Sequence, residues 1–211
     1  PGVIVGSNGG LGKTTSVFLR GTEADHVLVL IDGVKVGSAT SGTTAFEDLP
    51  IDQVDRIEIV RGPRSSLYGS EAIGGVIQIF TRKGGGDTKL SFTRGAGSHR
   101  TYTSSDGISG GGTQGWYSAH VSSLSSDGIN TCRGSLTDGC FTFEPDEDGY
   151  RNRAGSVRGG YRFGNGVELD AHILRTSAKN RFDGSFVNQS DTVQQIIVGR
   201  LAFSPLEYWR L

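Results

Sequence analysis

The chain changes its manner of patterning once, between Lys83 and Asp87, and that change limits what it can fold into. Upstream, VLVLIDGVKV from Val27 and LPIDQVDRIEIVRGPRSSLYGSEAIGGVIQIFTRK, ending at Lys83, place near-continuous apolar runs between short polar, Gly-rich turns. Runs of that kind read as strands covered on both faces. After Gly86 the segments become long, thin, alternating and rich in Ser, Thr and Gly, the pattern of barrel strands. A globule followed by barrel-like strands is an unusual order.

Within the first region, Ser16–Arg20 and Val27–Ile31 read as strands. Asp32-Gly33 then turns the chain into a short return strand, Val34–Val36, because an Asp-Gly pair between apolar runs is a strong hairpin signal. Leu49–Val54 is expected to form one helical turn opened by Pro50, with Asp48 as its N-cap. Arg56–Val60 alternates as a strand, Ser65–Tyr68 forms a brief helical turn ending near Gly69, and Ile73–Thr81 is the last apolar strand. Residues 1–16 are Gly/Ser/Thr-rich and read as irregular.

Six strands are expected beyond Asp87: Lys89–Gly95, Arg100–Ser109, Gly115–Ser125, Asn152–Phe163, Val167–Ser177 and Thr192–Phe203. Trp116, Ser118, His120 and Ser122 share one face, opposite Tyr117, Ala119, Val121 and Ser123; Leu169, Ala171 and Ile173 oppose Asp170, His172 and Leu174. Connectors alternate between tight (Gly164–Gly166) and long (Ser126–Arg151, Lys179–Asp191), the build of an outer-membrane barrel. Alternation alone leaves a soluble β-sandwich open.

Composition narrows function mainly by exclusion. A net charge of −1, from 21 basic and 22 acidic residues, offers no global footprint for nucleic acid. No run of 18 apolar residues is present for a membrane-spanning helix. The four His, at 26, 99, 120 and 172, are scattered, neither cysteine has an evident base, and no catalytic motif stands out, so an enzyme is not expected. Cys132 and Cys140 lie close together in a polar loop and would close a small disulfide in an exported protein. Gly6–Thr15 (GSNGGLGKTT) imitates a phosphate loop, but the required spacing is Gly, four residues, Gly-Lys-Ser/Thr, and here Gly6 falls one place early. An exposed loop of small polar residues able to touch a ligand, Ser7 and Asn8 among them, fits better.

Taken together, SVFLRG (Ser16–Gly21), VLVLIDGVKV and IDQVDRIEIVRGPRSSLYGSEAIGGVIQIFTRK resemble the plug domain of TonB-dependent outer-membrane receptors, most closely those for cobalamin (vitamin B12). The resemblance covers roughly residues 1–84, and more weakly the strands that follow. It implies a mixed α+β plug domain over 1–84, then the first about six antiparallel transmembrane β-barrel strands over 87–211, an incomplete barrel. It implies a piece of a longer protein of the Gram-negative outer membrane, in which a TonB-contacting segment precedes Pro1 and several hundred barrel residues follow Leu211. An open barrel leaves two strand edges unpaired, so the piece is expected to be unstable alone.

The same resemblance assigns roles. The protein would take cobalamin from outside and import it with energy supplied through TonB; a siderophore, haem or another nutrient is the alternative cargo, and a soluble β-rich binding module or adhesin the alternative class. Gly37–Glu47 (GSATSGTTAFE) becomes the plug loop that meets a corrinoid from beneath, with Ser38, Thr40, Ser41 and Thr43 as contacts. Neutral hydroxyls suit an amide-rich neutral ligand better than an anionic one. Arg20 and Arg61 become plug–barrel contacts, since an arginine at a strand end forks onto a carboxylate of the wall. Asp146, Asp148, Asp183 and Asp191 become ligands for calcium, which takes flexible carboxylates, with Asn130 replacing an expected acid.

Overall fold

Two short strands, β1 (Val3–Ser7) and β2 (Thr15–Leu19), pair antiparallel from Val3↔Leu19 to Ser7↔Thr15. The expectation of an irregular start is therefore corrected. Val3-Ile4-Val5 is a β-branched run, and the glycines that follow build the loop of the hairpin rather than unravel it. The structure, a computed structural model, describes residues 2–38, 42–132, 142 and 144–203.

A four-stranded sheet follows, made of β3 (Val27–Ile31), β4 (Val34–Val36), β5 (Val54–Arg61) and β6 (Gly75–Thr81) in the order β4-β3-β6-β5. β3 and β6 run parallel; the outer pairs are antiparallel. Every residue of β3 is buried, as its unbroken apolar run requires when both faces are covered. One face carries Val27, Val29, Ile31, Ile77 and Ile79; the other carries Leu28, Leu30 and Val76 against Ala72. A single turn of helix, α1 (Ser65–Tyr68), connects β5 to β6. Gly75 has φ +152°, and a Cβ there would lie 2.4 Å from the Val60 carbonyl oxygen, so no larger residue fits where β6 meets β5.

Between β4 and β5 the expected helical turn is replaced by two 3-10 turns, Phe46–Asp48 and Ile51–Gln53. Leu49 is extended between them (ψ 131°), the conformation favoured before proline. Asp48 is not an N-cap; its carboxylate is engaged elsewhere.

Six strands form an antiparallel meander: β7 (Lys89–Gly97), β8 (Thr101–Gly111), β9 (Gly115–Ser126), β10 (Tyr150–Arg162), β11 (Glu168–Arg181) and β12 (Gln189–Ala202). Residues 112–114 and 163–167 make tight turns at one end, while 98–100, 127–132, 144–149 and 182–188 lie at the other. β11 alternates at almost every position, with Glu168, Asp170, His172, Leu174, Thr176 and Ala178 buried and Leu169, Ala171, Ile173 and Arg175 exposed. The buried face is largely polar, and the exposed face is apolar toward the tight turns (Leu169, Ala171, Ile173) and polar toward the long loops (Arg175, Ser177, Lys179, Arg181). A polar interior beneath an apolar outer band is the reverse of a water-soluble sheet.

The meander packs on the first sheet. Leu174 and Ile196 of the wall join Leu19, Val29, Ile31 and Ile79 in one core, with Val198 packed against it. Burying side chains of this size stabilises the contact by about 1.5–3 kcal/mol each.

Candidate functional site

Two polar clamps join the N-terminal globule to the wall, one near each end of the strands. The lower clamp begins at the hairpin between β3 and β4. Asp32 and Gly33 adopt φ +48° and +87° in this turn, and the Asp32 carboxylate reaches across to the end of β6. There it accepts from the Thr81 backbone N–H (3.0 Å) and hydroxyl (2.5 Å).

From the wall, Arg158 Nη1 stands 3.5 Å from Asp32 Oδ1, while its other donors fork onto Asp170 at 2.8–3.2 Å. Trp116 Nε1 donates to Asp170 Oδ2 at 2.7 Å. His172 Nδ1 lies 2.8 Å from Asp32 Oδ2, close but off the line of a well-aligned hydrogen bond. Burial pushes the Asp32 carboxyl up, yet the contacts with His172, Thr81 and Arg158 outweigh it and hold the pKa at about 2. The group is therefore an anion sealed among donors.

The upper clamp lies toward the long loops. Lys13, buried, donates from Nζ to Asn180 Oδ1 (2.9 Å) and to the Arg181 carbonyl at the end of β11. This lysine, which imitates that of a phosphate loop, is an anchor to the wall. Burial lowers its pKa against the opposing pull of Asp148 and Asp183. Gly12 (φ +74°) lies flat on Tyr150, whose ring leaves no room for a Cβ. The Tyr150 hydroxyl is 2.8 Å from Asp48 Oδ1 and 3.0 Å from the Glu47 carbonyl, and Asn152 donates to the Asp48 carbonyl at 3.0 Å. Burial raises the Asp48 carboxyl against the opposing Tyr150 bond, and burial likewise raises Glu47.

Of the residues expected to meet a ligand, Ser7 and Asn8 are exposed at the tip of the β1–β2 hairpin, where the Asn8 N–H bonds the Thr14 carbonyl. The Ser38 backbone N–H donates to the Thr43 carbonyl at 2.8 Å. Thr40, Ser41 and Cys140 lie outside the described residues, and no free cysteine occurs among those described, Cys132 included. Sequence reasoning missed a second group, Glu23, Asp25 and His26, whose Asp25 lies against Gly42.

The acidic loops converge only in part. Carboxylate oxygens of Glu144, Asp146 and Asp183 lie within 4.8 Å of one another. The Glu144 N–H donates to Asp183 Oδ1 (3.2 Å), and Asn130 Nδ2 donates to the Glu144 carbonyl (2.9 Å). Asp183 Oδ2 and Asn130 Oδ1 are buried without a protein donor. Three carboxylates, one of them with an orphaned oxygen, and the neighbouring amide oxygen of Asn130 form a donor set that fits a hard cation. Burial and the neighbouring charges of Asp148, Asp146 and Glu144 push Asp183 up, as expected of like charges held together.

Asp148 stands behind this group and accepts from the Thr131 backbone N–H at 2.9 Å. Asp191 does not join it: the register places it opposite Lys179 on the exposed face, with 3.3 Å between the charges. Glu144 takes its place, carried there by the turn of the loop.

The ion pairs described between globule and wall, Lys83–Glu168 at 3.6 Å and the buried Arg158–Asp32, use neither of the two expected plug arginines. Arg20 is exposed, with its guanidinium over Gly62, and Arg61 is exposed on the outer strand β5. The polarity of the buried pair is instead reversed, with the acid on the globule (Asp32) and the arginine on the wall (Arg158). Asp32 was legible in the sequence only as a turn residue.

A family model described as TonB-dependent Receptor Plug Domain matches residues 1–76. A curated relative, the vitamin B12 transporter BtuB of Photobacterium profundum, is 36% identical over 187 residues, covering 88% of this chain and 30% of the relative. The chain thus spans less than a third of that relative's length. Among solved structures, the copper transporter OprC is similar with a TM-score of 0.76 at 17% identity, over 99% of this chain and 31% of that one. A mutant ferric enterobactin receptor (PfeA) from Pseudomonas aeruginosa gives 0.67 at 24% identity, over 87% and 30%. The ferric yersiniabactin uptake receptor FyuA from Yersinia pestis gives 0.60 at 22%, over 96% and 33%. At such identities the structures share a fold, and their different cargoes say nothing of this chain's.

Proposed function

This chain belongs to the TonB-dependent outer-membrane receptors, and from that premise we propose that the whole protein binds cobalamin at its long-loop face and imports it with energy delivered through TonB. The observation that carries the cargo is the 36% identity to a vitamin B12 transporter, which runs over 187 residues and so covers plug and strands alike. The exposed Ser7, Asn8 and Ser38, with Thr43, present neutral hydrogen-bonding groups suited to an amide-rich ligand. The six strands belong, in this reading, to a transmembrane barrel whose apolar outer face meets lipid and whose polar inner face meets the plug.

Glu144, Asp146 and Asp183, helped by Asn130, would hold a calcium ion that fixes the loops around the ligand. Transport requires the plug to leave or remodel inside the wall, an order–disorder step that separates Asp32 from Arg158. The test is uptake of labelled cyanocobalamin by cells whose only cobalamin receptor is the full-length protein. Uptake that requires functional TonB supports the proposal; absence of uptake, with ferric siderophore imported instead, rejects cobalamin and keeps the transporter.

A further inference from the structure

The outward face of β10 and β11 near the long loops carries cations that the fold does not neutralise. Arg151 and Lys179 stand directly opposite each other in the register, while Arg175 lies between Gly155 and Gln195 and donates to the neutral Gln195 Oε1 at 3.1 Å. Arg153 lies between them on the same face, and Arg181 ends the strand. Lys179 reaches Asp191, and Arg100 at the rim is held by Asp127 and Glu147. Among the described residues, no acid lies within ion-pair distance of Arg151, Arg153, Arg175 or Arg181. Like charges facing each other across a ladder are destabilising, so this arrangement is costly unless an anion covers it.

Two concavities mark where such an anion would sit. Arg100, Arg151, Lys179 and Arg181 line a cavity of about 460 Å³ at the rim, in which Asp127 and Glu147 also stand, both held by Arg100. Toward the tight turns, a groove of similar volume opens at Gly155, where the missing side chain leaves a gap walled by Phe92, Val121, Val157 and Ile173. The cross-strand row Ile108, Ala119, Val157, Ile173 and Ile197 continues the apolar surface. A cationic pocket directly above an apolar groove matches an amphiphile with an anionic head. The arginines of β10 and β11 have β9 and β12 on either side, and the groove runs from β11 across to the edge strand β7.

We propose that this face of β10 and β11 binds the phosphate-bearing headgroup of an outer-leaflet membrane lipid, with arginines 151, 153, 175 and 181 on its phosphates and Val157 and Ile173 beneath its acyl chains. Arginine forks onto phosphate oxygens through paired N–H donors, and basic clusters at a membrane surface select anionic lipids. The inference rests on the reading of the strands as a membrane-embedded wall, and is independent of the cargo.

The experiment uses the full-length receptor in mild detergent and native mass spectrometry with three probes: bisphosphorylated lipid A, the same lipid with its phosphates removed, and inorganic phosphate. Lipid A is expected to bind in preference to the dephosphorylated lipid, and inorganic phosphate not to displace it. The triple variant R151Q/R153Q/R175Q should lose about a hundredfold in affinity, and R151K/R153K/R175K much less. Heat-modifiable gel migration establishes that the variants are folded. Equal binding of both lipids, unchanged affinity in the Gln variant, or displacement by inorganic phosphate would overturn the proposal. Absence of the wild type from the outer-membrane fraction would sink the membrane reading with it.

Discussion

Asp32 on the plug hairpin and Arg158 on strand β10 face each other across 3.5 Å, with side chains only 5% and 12% exposed. Arg158 has a second carboxylate, Asp170, whereas Asp32 has Arg158 as its one fully charged neighbour, beside His172. The two ends of the pair are therefore unequal. Asp32→Asn leaves Arg158 paired and is expected to lower plug stability by about 1–3 kcal/mol. Arg158→Met strands two buried acids and should cost more, about 3–5 kcal/mol. Calorimetric melting of the full-length protein checks the order, and equal effects would mean that the pair does not hold the plug.

The two clamps should respond to pH with opposite sign. Asp32 titrates at about 2 when docked, against an ordinary 3.8, so its stabilisation is whole above about pH 4 and vanishes as pH falls to 2. Asp48 is shifted upward by burial, so its contribution is present below its ordinary 3.8 and is lost as pH rises through the raised value. Melting temperatures recorded from pH 2 to pH 7 should lose their acid-side fall in Asp32→Asn. In Asp48→Asn the loss toward neutral pH should disappear instead.

Cation binding should separate the aspartates. Asp183→Asn and Glu144→Gln are expected to weaken calcium at least about tenfold, because their oxygens converge, whereas Asp191→Asn should leave it unchanged, since Asp191 sits against Lys179. Equilibrium dialysis with labelled calcium measures this directly. An Asp191 effect as large as that of Asp183 would dismiss the cluster.

Gly12→Ala tests the upper clamp. A Cβ at this position would stand 1.9 Å from Tyr150 Cδ2, in a backbone conformation of φ +74°. The substitution should force the loop off the wall at a cost of about 1–3 kcal/mol, exposing Gly9–Thr14 to protease. A cleavage pattern identical to wild type would show that the loop is not seated on Tyr150.

Much of this architecture was written in local pattern. The unbroken VLVLI run announced a strand buried on both faces, and the Asp32-Gly33 pair announced its hairpin. The alternation of β11 announced two unlike faces. What stayed hidden depended on distant partners. Lys13 looked like a loop lysine because Asn180 is 167 residues away, and Asp48 looked like a cap because Tyr150 lies 102 residues on. The acidic residues showed a cluster in composition, but loop folding chose Glu144 over Asp191.

Titration of cyanocobalamin into the full-length receptor, with calcium and then with a chelator, bears most directly on the proposed function. Saturable binding at one site per protein, weakened when calcium is removed, is the predicted result. No heat of binding under either condition, from protein that is folded and outer-membrane-derived, would contradict it.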